Sequence, residues 1–136
     1  MCMVDDSDGS VTEISGLLQR VARVTHTCKE CCRTIDKGET YFVESYVFDG
    51  DFHTHKTCAH CKVARDWLQA ECGGWLYGGF EEDIREHVFS RMYPMSLARI
   101  AVGMQWKWRT PKGRLMPIPA MPQTTHEAAL RREETP

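Results

Sequence analysis

The chain has 136 residues, a formal net charge of −2, 42% hydrophobic residues and 26% charged residues. These values are typical of one compact domain with a subdomain or tail, and they exclude a disordered chain. The slightly acidic balance excludes a protein whose whole surface is basic, so any basic binding surface has to be local. Because no apolar run of about 18 residues and no signal peptide is present, we expect a cytoplasmic protein without a membrane partner.

The start of the chain allows two interpretations. Residues 1–13 are predicted to form a flexible acidic segment. Residues 14–26 carry apolar side chains at a spacing that fits a short helix, whereas the second half of this segment alternates as a strand does. Both secondary structures stay open for residues 14–26.

A β-hairpin is predicted over about 40–48 and 51–56. Both runs are rich in aromatic and β-branched residues, as strands are. Asp49 and Gly50 lie between them, and this pair favours a type I′ turn, which needs positive φ at both central residues.

Three helices are predicted after the hairpin. Thr57 caps the first, and Gly73-Gly74 ends it through a left-handed C-cap. The second covers 81–92 and has acidic residues in its first turn, where the helix dipole favours them. Ser96 caps the third. Its predicted buried face consists of Leu97, Ile100, Ala101, Met104 and Trp108.

The end of the chain is predicted to lack regular structure. Four prolines fall within residues 111–122, which excludes a helix or a central strand there. The last residues are polar and are predicted to be frayed or disordered.

The cysteines give the strongest functional signal. Cys28 and Cys31 form one C-x2-C pair, Cys58 and Cys61 form a second, and 26 residues separate the pairs. A tight turn at this spacing places two thiolates on one side, so two pairs supply four soft ligands for tetrahedral zinc. Because a closed four-thiolate site keeps no open position, we expect one structural Zn²⁺ and no catalytic metal.

Cys32 directly follows the first pair. The turn that holds this first pair, called the knuckle below, is followed by a β-hairpin and a helix, and this order resembles the treble-clef zinc finger. In that fold a glycine commonly follows the second cysteine of the knuckle, because the backbone there is left-handed. We therefore expect Cys32 to be a non-ligand in a strained backbone conformation. The alternative ligand set contains Cys32 in place of Cys31.

The histidines add little to the metal prediction. His60 lies between two predicted ligands and is expected to point to solvent. His53 and His55 share one face of a strand, but a second metal site with Cys72 would lack a fourth ligand at readable spacing. The remaining histidines form no pattern and are expected to be surface or partly buried residues: His26, His87 and His126.

Enzymatic activity is not predicted. HNH nucleases share the treble-clef scaffold, and they need a histidine base on the first hairpin strand, an asparagine and a further metal-binding histidine. The chain has no asparagine and no histidine in residues 36–48. A degenerate HNH-type scaffold is the remote alternative. The acidic residues 81–83 are interpreted as a solvated helix start and not as a catalytic cluster.

Residues 99–114 hold five basic residues, no acidic residue and two tryptophans. Such residues can bind phosphates and stack on bases. Alternatively, Trp108 packs inward and the lysines cover the outer face of an ordinary helix. The candidates for nucleic-acid or partner binding, called the late strip below, are Arg99, Trp106, Lys107, Trp108, Arg109, Lys112 and Arg114.

Two further segments are candidate interfaces. Five basic residues surround the knuckle and either contact nucleic acid or offset the charge of a zinc tetrathiolate: Arg20, Arg23, Lys29, Arg33 and Lys37. Residues 75–77 are Trp-Leu-Tyr between paired glycines, and they either form an exposed interface or fold under to close the core.

Residues 23–88 resemble a group of small zinc-finger proteins of bacteriophages and prophages. The resemblance rests on C-x-E-C-x-x-x-I-x-x-G-E-x-Y (28–41), D-G-D-F (49–52), K-T-C-x-x-C (56–61) and C-G-G-W-x-Y-G-G-x-x-E-D-I-R-E (72–86). Cys32 and the segment after Trp108 depart from the group. The resemblance implies a phage protein with a zinc-stabilised fold in the cytoplasm of a bacterial host. It implies no activity, because the group has no settled one.

The predicted fold is α+β: a small treble-clef zinc finger, two further helices and an irregular proline-rich tail. The predicted boundaries are 1–13 for the flexible N-terminus, 14–75 for the zinc domain, 76–110 for the helical extension and 111–136 for the irregular or disordered tail. The predicted function is non-enzymatic binding to a host protein, which inhibits or modulates a host machine such as RNA polymerase or a defence nuclease. A DNA- or RNA-binding accessory role is the alternative, and a homodimer is compatible with either.

Overall fold

The computed structural model describes residues 11–90 and 94–127, and only the backbone of residues 11–15. The fold is mixed α/β, with an antiparallel sheet of order β1-β4-β5 and a two-stranded β2-β3 ribbon. The strands are β1 (Val11–Val21), β2 (His26–Thr27), β3 (Thr34–Ile35), β4 (Thr40–Phe48) and β5 (Asp51–Cys58). The helices are α1 (Ala59–Cys72), α2 (Phe80–Val88) and α3 (Met95–Gln105). None of the helices in this part of the chain is long and apolar enough to cross a membrane.

The first strand shows that the helix interpretation of residues 14–26 is wrong. β1 pairs with β4 from Val11–Phe48 to Val21–Thr40, with irregular register between Glu13 and Leu18. The strand also includes residues 11–13, so the prediction of a flexible acidic segment is wrong for these three residues. Residues 1–10 lie outside the described residues. So short an apolar pattern fits both the spacing of a helix face and the alternation of a strand. Pairing with the aromatic-rich β4 favours the strand.

The predicted hairpin is confirmed. Asp49 and Gly50 connect β4 to β5 with φ of +50° and +80°, which are the left-handed conformations that a type I′ turn requires. β5 continues two residues beyond the predicted end, so the chain passes directly from Cys58 into α1.

The helix ends are confirmed in part. Gly73 ends α1 with φ of +78° and donates its N–H to the carbonyl of Gln69, as the glycine pair predicts. The predicted N-caps are wrong: Cys58 caps α1 in place of Thr57, and Pro94 precedes α3 in place of Ser96. Thr57 is buried as the penultimate residue of β5. The predicted helix 81–92 ends at Val88, and residues 91 and 92 fall outside the described part.

One hydrophobic core joins the cysteines to all three named helices. The predicted zinc domain (14–75) and helical extension (76–110) therefore share their core. Its fully buried side chains include Trp67 and Leu68 of α1, Phe80 and Ile84 of α2, and Leu97 and Ile100 of α3.

The tail is irregular, as its prolines predict, but it packs against α1. The indole N–H of Trp67 donates to the carbonyl of Gln123 over 3.1 Å. The backbone N–H of Thr125 donates to the carboxylate of Glu71 over 2.9 Å. Residues 111–127 therefore form an ordered cover for α1, and residues 125–127 are helical, so the predicted fraying is wrong for them; residues 128–136 lie outside the described chain.

Candidate metal centre and surrounding surfaces

The structure brings the four predicted ligands together. The Sγ atoms of Cys28, Cys31, Cys58 and Cys61 all lie within 4.8 Å of one another, and all four residues are buried. No disulfide joins them. The Sγ atoms of Cys31 and Cys58 are 4.0 Å apart. A tetrahedral zinc site with Zn–S bonds of about 2.3 Å implies a sulfur–sulfur separation of about 3.8 Å.

Short backbone turns position these sulfurs. Cys28 and Cys31 lie in the turn between β2 and β3, where the N–H of Cys28 bonds to the carbonyl of Arg33 over 2.8 Å. The N–H of Cys58 donates to the Sγ of Cys28, and the N–H of Cys61 donates to the Sγ of Cys58, each over 3.4 Å. Amide donors aimed at sulfur favour the thiolate form that binds metals.

The four sulfurs titrate together because they share one buried site. Hydrogen bonds from Cys28, and then from Cys31 and Cys61, hold the pKa of Cys58 far below its ordinary value. The hydrogen bond to Cys28 is the largest of the causes that raise the pKa of Cys31 well above that of a free thiol. One thiolate is therefore stabilised by protonated neighbours, and four thiolates together need a bound cation to balance their charge. A buried set of four soft donors fits a metal such as Zn²⁺.

Cys32 lies outside this group and is exposed. Its φ is +63°, the left-handed conformation expected where treble-clef knuckles carry glycine. Its N–H donates to the carbonyl of Cys28 over 3.0 Å, which closes the knuckle. The strained, non-ligand interpretation of Cys32 agrees with this geometry, and the alternative ligand set does not.

Trp108 forms part of the wall of the centre. Its Nε1–H donates to the Sγ of Cys61 over 3.3 Å, and the residue is only 2% exposed. Lys107 and Trp108 have φ of +54° and +58°, which turn the chain back after α3. The indole packs over Gly103, where a Cβ would lie 2.2 Å from a ring carbon. Trp108 therefore packs inward, as that alternative predicts, but its predicted place on the buried face of the third helix is wrong, because α3 ends at Gln105.

Glu30 connects the knuckle to the glycine-rich loop, which is residues 73–79 between α1 and α2. Its side chain is 1% exposed and pairs with the Nε2 of His55 over 2.7 Å. The same carboxylate accepts the N–H groups of Gly78 and Phe80 over 2.6 and 3.2 Å. Sequence reasoning missed this role; an acidic residue between two predicted ligands was the available signal.

Three predictions about polar side chains are corrected. His60 is 3% exposed, and its Nε2 lies 2.6 Å from the carbonyl oxygen of Met116, because the tail covers it. His87 and Asp83 are each 1% exposed, and the Nδ1 of His87 lies 2.7 Å from the carbonyl oxygen of Asp83 and 3.2 Å from its Oδ1. His87 is therefore not a surface or partly buried residue, and Asp83 is not solvated, because α2 turns this side toward Trp67.

No second metal site is found in the part of the chain that the structure describes. His55 pairs with the carboxylate of Glu30. His53 is exposed and stacks on Tyr46 with ring centroids 5.3 Å apart. Cys72 lies near His87, with 3.5 Å between Sγ and Nε2, and joins no group of three ligands among the described residues.

The late strip is divided between core and surface. Trp108 is buried, and Arg109 pairs with Asp36 over 2.9 Å. The remaining members are exposed: Arg99, Trp106, Lys107, Lys112 and Arg114.

The second basic group forms a clearer surface on the uncovered face of the sheet. Three adjoining depressions meet at His26, and no acidic residue lines them. We call this surface the basic face; its cations are Arg20, Arg23, Lys29 and Lys56.

Two members of the predicted knuckle group do not line the basic face. Arg33 is buried and pairs with Glu39 over 3.0 Å, and Lys37 lies in the turn before β4. Lys56 was missed, although the alternation of β5 places it beside Val43 on this face.

Comparison of the chain with known protein families, with curated proteins and with solved structures finds no match. What the protein does therefore has to be inferred from its own residues.

Proposed function

We propose that the four cysteines hold one structural Zn²⁺ in a zinc finger of the treble-clef type. The knuckle between β2 and β3, the β4–β5 hairpin and the first turn of α1 follow one another around the cysteine group, which supports this assignment. All four donors are buried protein sulfurs, so the metal would crosslink the fold and offer no position to a substrate. A non-enzymatic role is part of the proposal.

We further propose that the protein binds the phosphate backbone of nucleic acid through the basic face. One observation carries this: four cations surround a concave surface that no acidic residue lines. None of the four has a salt bridge with another described residue. Like charges without counter-ions repel one another, and an anionic ligand would relieve that repulsion. Phosphate contacts of this kind carry no base specificity.

The test is fluorescence anisotropy of labelled single-stranded and duplex DNA, titrated between about 50 and 200 mM salt. Four phosphate contacts predict a slope of log K against log salt of about −3 for a single strand and about −4 for a duplex. Arg20→Gln and Arg23→Gln should each reduce the magnitude of the slope by about 1. Arg85→Gln is the matched control, because Arg85 is an exposed cation on α2. Absence of binding at the lowest salt would contradict the proposal.

The late strip is a competing nucleic-acid surface, and the same assay separates the two. Lys112 is exposed and is not among the residues that line the basic face. If Lys112→Gln weakens binding and Arg20→Gln does not, the late strip and not the basic face holds the phosphates.

Binding to a host protein and a phage origin stay predictions. A pull-down from bacterial lysate with the full chain, followed by mass spectrometry, tests the host-protein prediction. Failure to recover any protein in stoichiometric amount would count against it, and would leave the nucleic-acid proposal unaffected.

A further inference from the structure

A polar cluster away from the four metal-site cysteines joins the end of α1 to α2. Cys72 is the last residue of α1, and its Sγ lies 3.5 Å from the Nε2 of His87. The other ring nitrogen of His87 faces the carbonyl oxygen of Asp83 over 2.7 Å and its Oδ1 over 3.2 Å. His87 and Asp83 are buried, whereas Cys72 is only partly buried. The sulfur therefore lies at the accessible end of a buried histidine–aspartate pair.

The contact with Asp83 fixes which nitrogen of His87 carries a hydrogen. A carbonyl oxygen only accepts hydrogen bonds, so Nδ1–H donates to the carbonyl of Asp83. In the neutral ring the lone pair then lies on Nε2, which faces the sulfur of Cys72. A thiol in this position passes its proton to the ring, and the imidazolium that forms stabilises the thiolate. The carboxylate of Asp83 in turn favours the imidazolium.

The place of Cys72 at a helix end makes a positive neighbour necessary for a thiolate. The C-terminus of a helix carries partial negative charge, which disfavours a second negative charge beside it. The last turn of α1 contains no basic residue that would offset this charge. The compensating charge therefore has to come from outside α1, and the imidazolium of His87 supplies it.

The sulfur of Cys72 belongs to a disulfide. The chain has seven cysteines, and five of them are free: Cys28, Cys31, Cys32, Cys58 and Cys61. The only cysteine left to pair with Cys72 is Cys2, which lies outside the described residues. The histidine–aspartate pair therefore contacts a sulfur that both forms a disulfide and has a proton acceptor beside it.

We propose that Cys72 and Cys2 form a thiol–disulfide exchange site in which His87 accepts the proton of the Cys72 thiol. The oxidant is a low-molecular-weight disulfide. The Cys72 thiolate attacks one of its sulfurs, the S–S bond breaks, and the leaving thiolate takes the proton from His87. The thiolate of Cys2 then attacks the Cys72 sulfur of the mixed disulfide, and the second small thiolate leaves with the proton that Cys2 has lost. Two cysteine thiols are thereby oxidised to one disulfide, and one small disulfide is reduced to two thiols.

The disulfide is tested on the reduced, zinc-loaded full chain treated with oxidised glutathione, alkylated and digested with trypsin without reduction. Mass spectrometry should find peptide 1–20 joined to peptide 66–85, and dithiothreitol should separate them. Cys2→Ser should leave Cys72 as a mixed disulfide with glutathione. Cys32→Ser is the matched control, because it removes an exposed free thiol and should keep the crosslink. A Cys72 that stays free or joins another cysteine would overturn the proposal.

The role of His87 is tested by the rate at which iodoacetamide labels the reduced protein at pH 7. Only the thiolate reacts, so Cys72 should be labelled several-fold faster than the more exposed Cys32 of the same chain. His87→Gln should remove this advantage without changing the rate at Cys32, which separates loss of the proton acceptor from unfolding. An unchanged ratio in this variant would overturn the role of His87. If His87→Gln does not fold, the parent protein decides, because a Cys72 that reacts no faster than Cys32 contradicts the role equally. The inference uses neither the zinc centre nor the basic face, so it stands independently of the proposed function.

Discussion

A methyl group at Gly103 should destabilise the protein, although the substitution improves helix propensity. Gly103 lies inside α3, where glycine to alanine ordinarily stabilises a helix by about 1 kcal/mol. A Cβ here would lie 2.2, 2.5 and 2.8 Å from three carbons of the Trp108 ring. The closest carbon would have to move by about 1.3 Å or more to reach ordinary van der Waals contact.

The indole has little freedom to make that movement. The N–H of Trp108 donates to the carbonyl of Gly103, and its carbonyl accepts from Met116, each over 2.7 Å. Overpacking a core costs about 1–3 kcal/mol. Loss of the indole hydrogen bond to the Cys61 sulfur, which the proposal makes a thiolate, costs a further ~1.5–3 kcal/mol. After subtracting the propensity gain, we expect Gly103→Ala to lower the free energy of unfolding by about 1.5–5 kcal/mol.

Urea unfolding of zinc-loaded protein measures this difference, and transfer of zinc to a chromogenic chelator measures the weakening of the centre. Val102→Ala is the control, because Val102 is the neighbouring α3 residue and is 49% exposed. If Gly103→Ala were more stable than the parent by about 1 kcal/mol, helix propensity would decide the outcome and Trp108 could not pack as described.

Two further predictions concern the knuckle. Cys32→Gly should raise the free energy of unfolding by about 0.5–1 kcal/mol, because relief of the left-handed strain exceeds the added chain entropy of glycine; urea unfolding checks this, and Cys32→Ala should give no gain. Glu30→Gln should lower stability by about 1–3 kcal/mol, since the buried carboxylate loses its pairing with His55. Glu82→Gln, at an exposed position on α2, is its control, and equal stability of the two variants would contradict a structural role for Glu30.

Features that depend on a few neighbouring residues were predictable from the sequence. Asp49-Gly50 adopts the conformation that its hairpin turn requires, Gly73 ends α1, and Cys32 has the positive φ that its place in the knuckle implies. Each is a requirement of the local backbone, which residue type reveals directly. The C-x2-C spacing belongs to the same class, because one tight turn brings two sulfurs together.

Features that depend on distant contacts were not predictable. The apolar pattern of residues 14–26 fits a helix or a strand, and pairing with β4 decides between them. Trp108 reaches Cys61 across 47 positions, and His60 reaches Met116 across 56 positions. Nothing in the local sequence specifies these partners. Lys56 could be assigned to the basic face only from the register of β5 against β4, which pairs it with Val43.

The proposal of one structural Zn²⁺ is tested most directly by measuring the zinc content of the protein together with its unfolding. Purified full-length chain should contain one Zn²⁺, and chelation should unfold it, because structural zinc supplies much of the folding free energy of small domains. Cys61→Ser should lose the metal and the fold, whereas Cys32→Gly should keep both. A parent chain that binds no metal and unfolds at the same urea concentration with and without chelator would contradict the account.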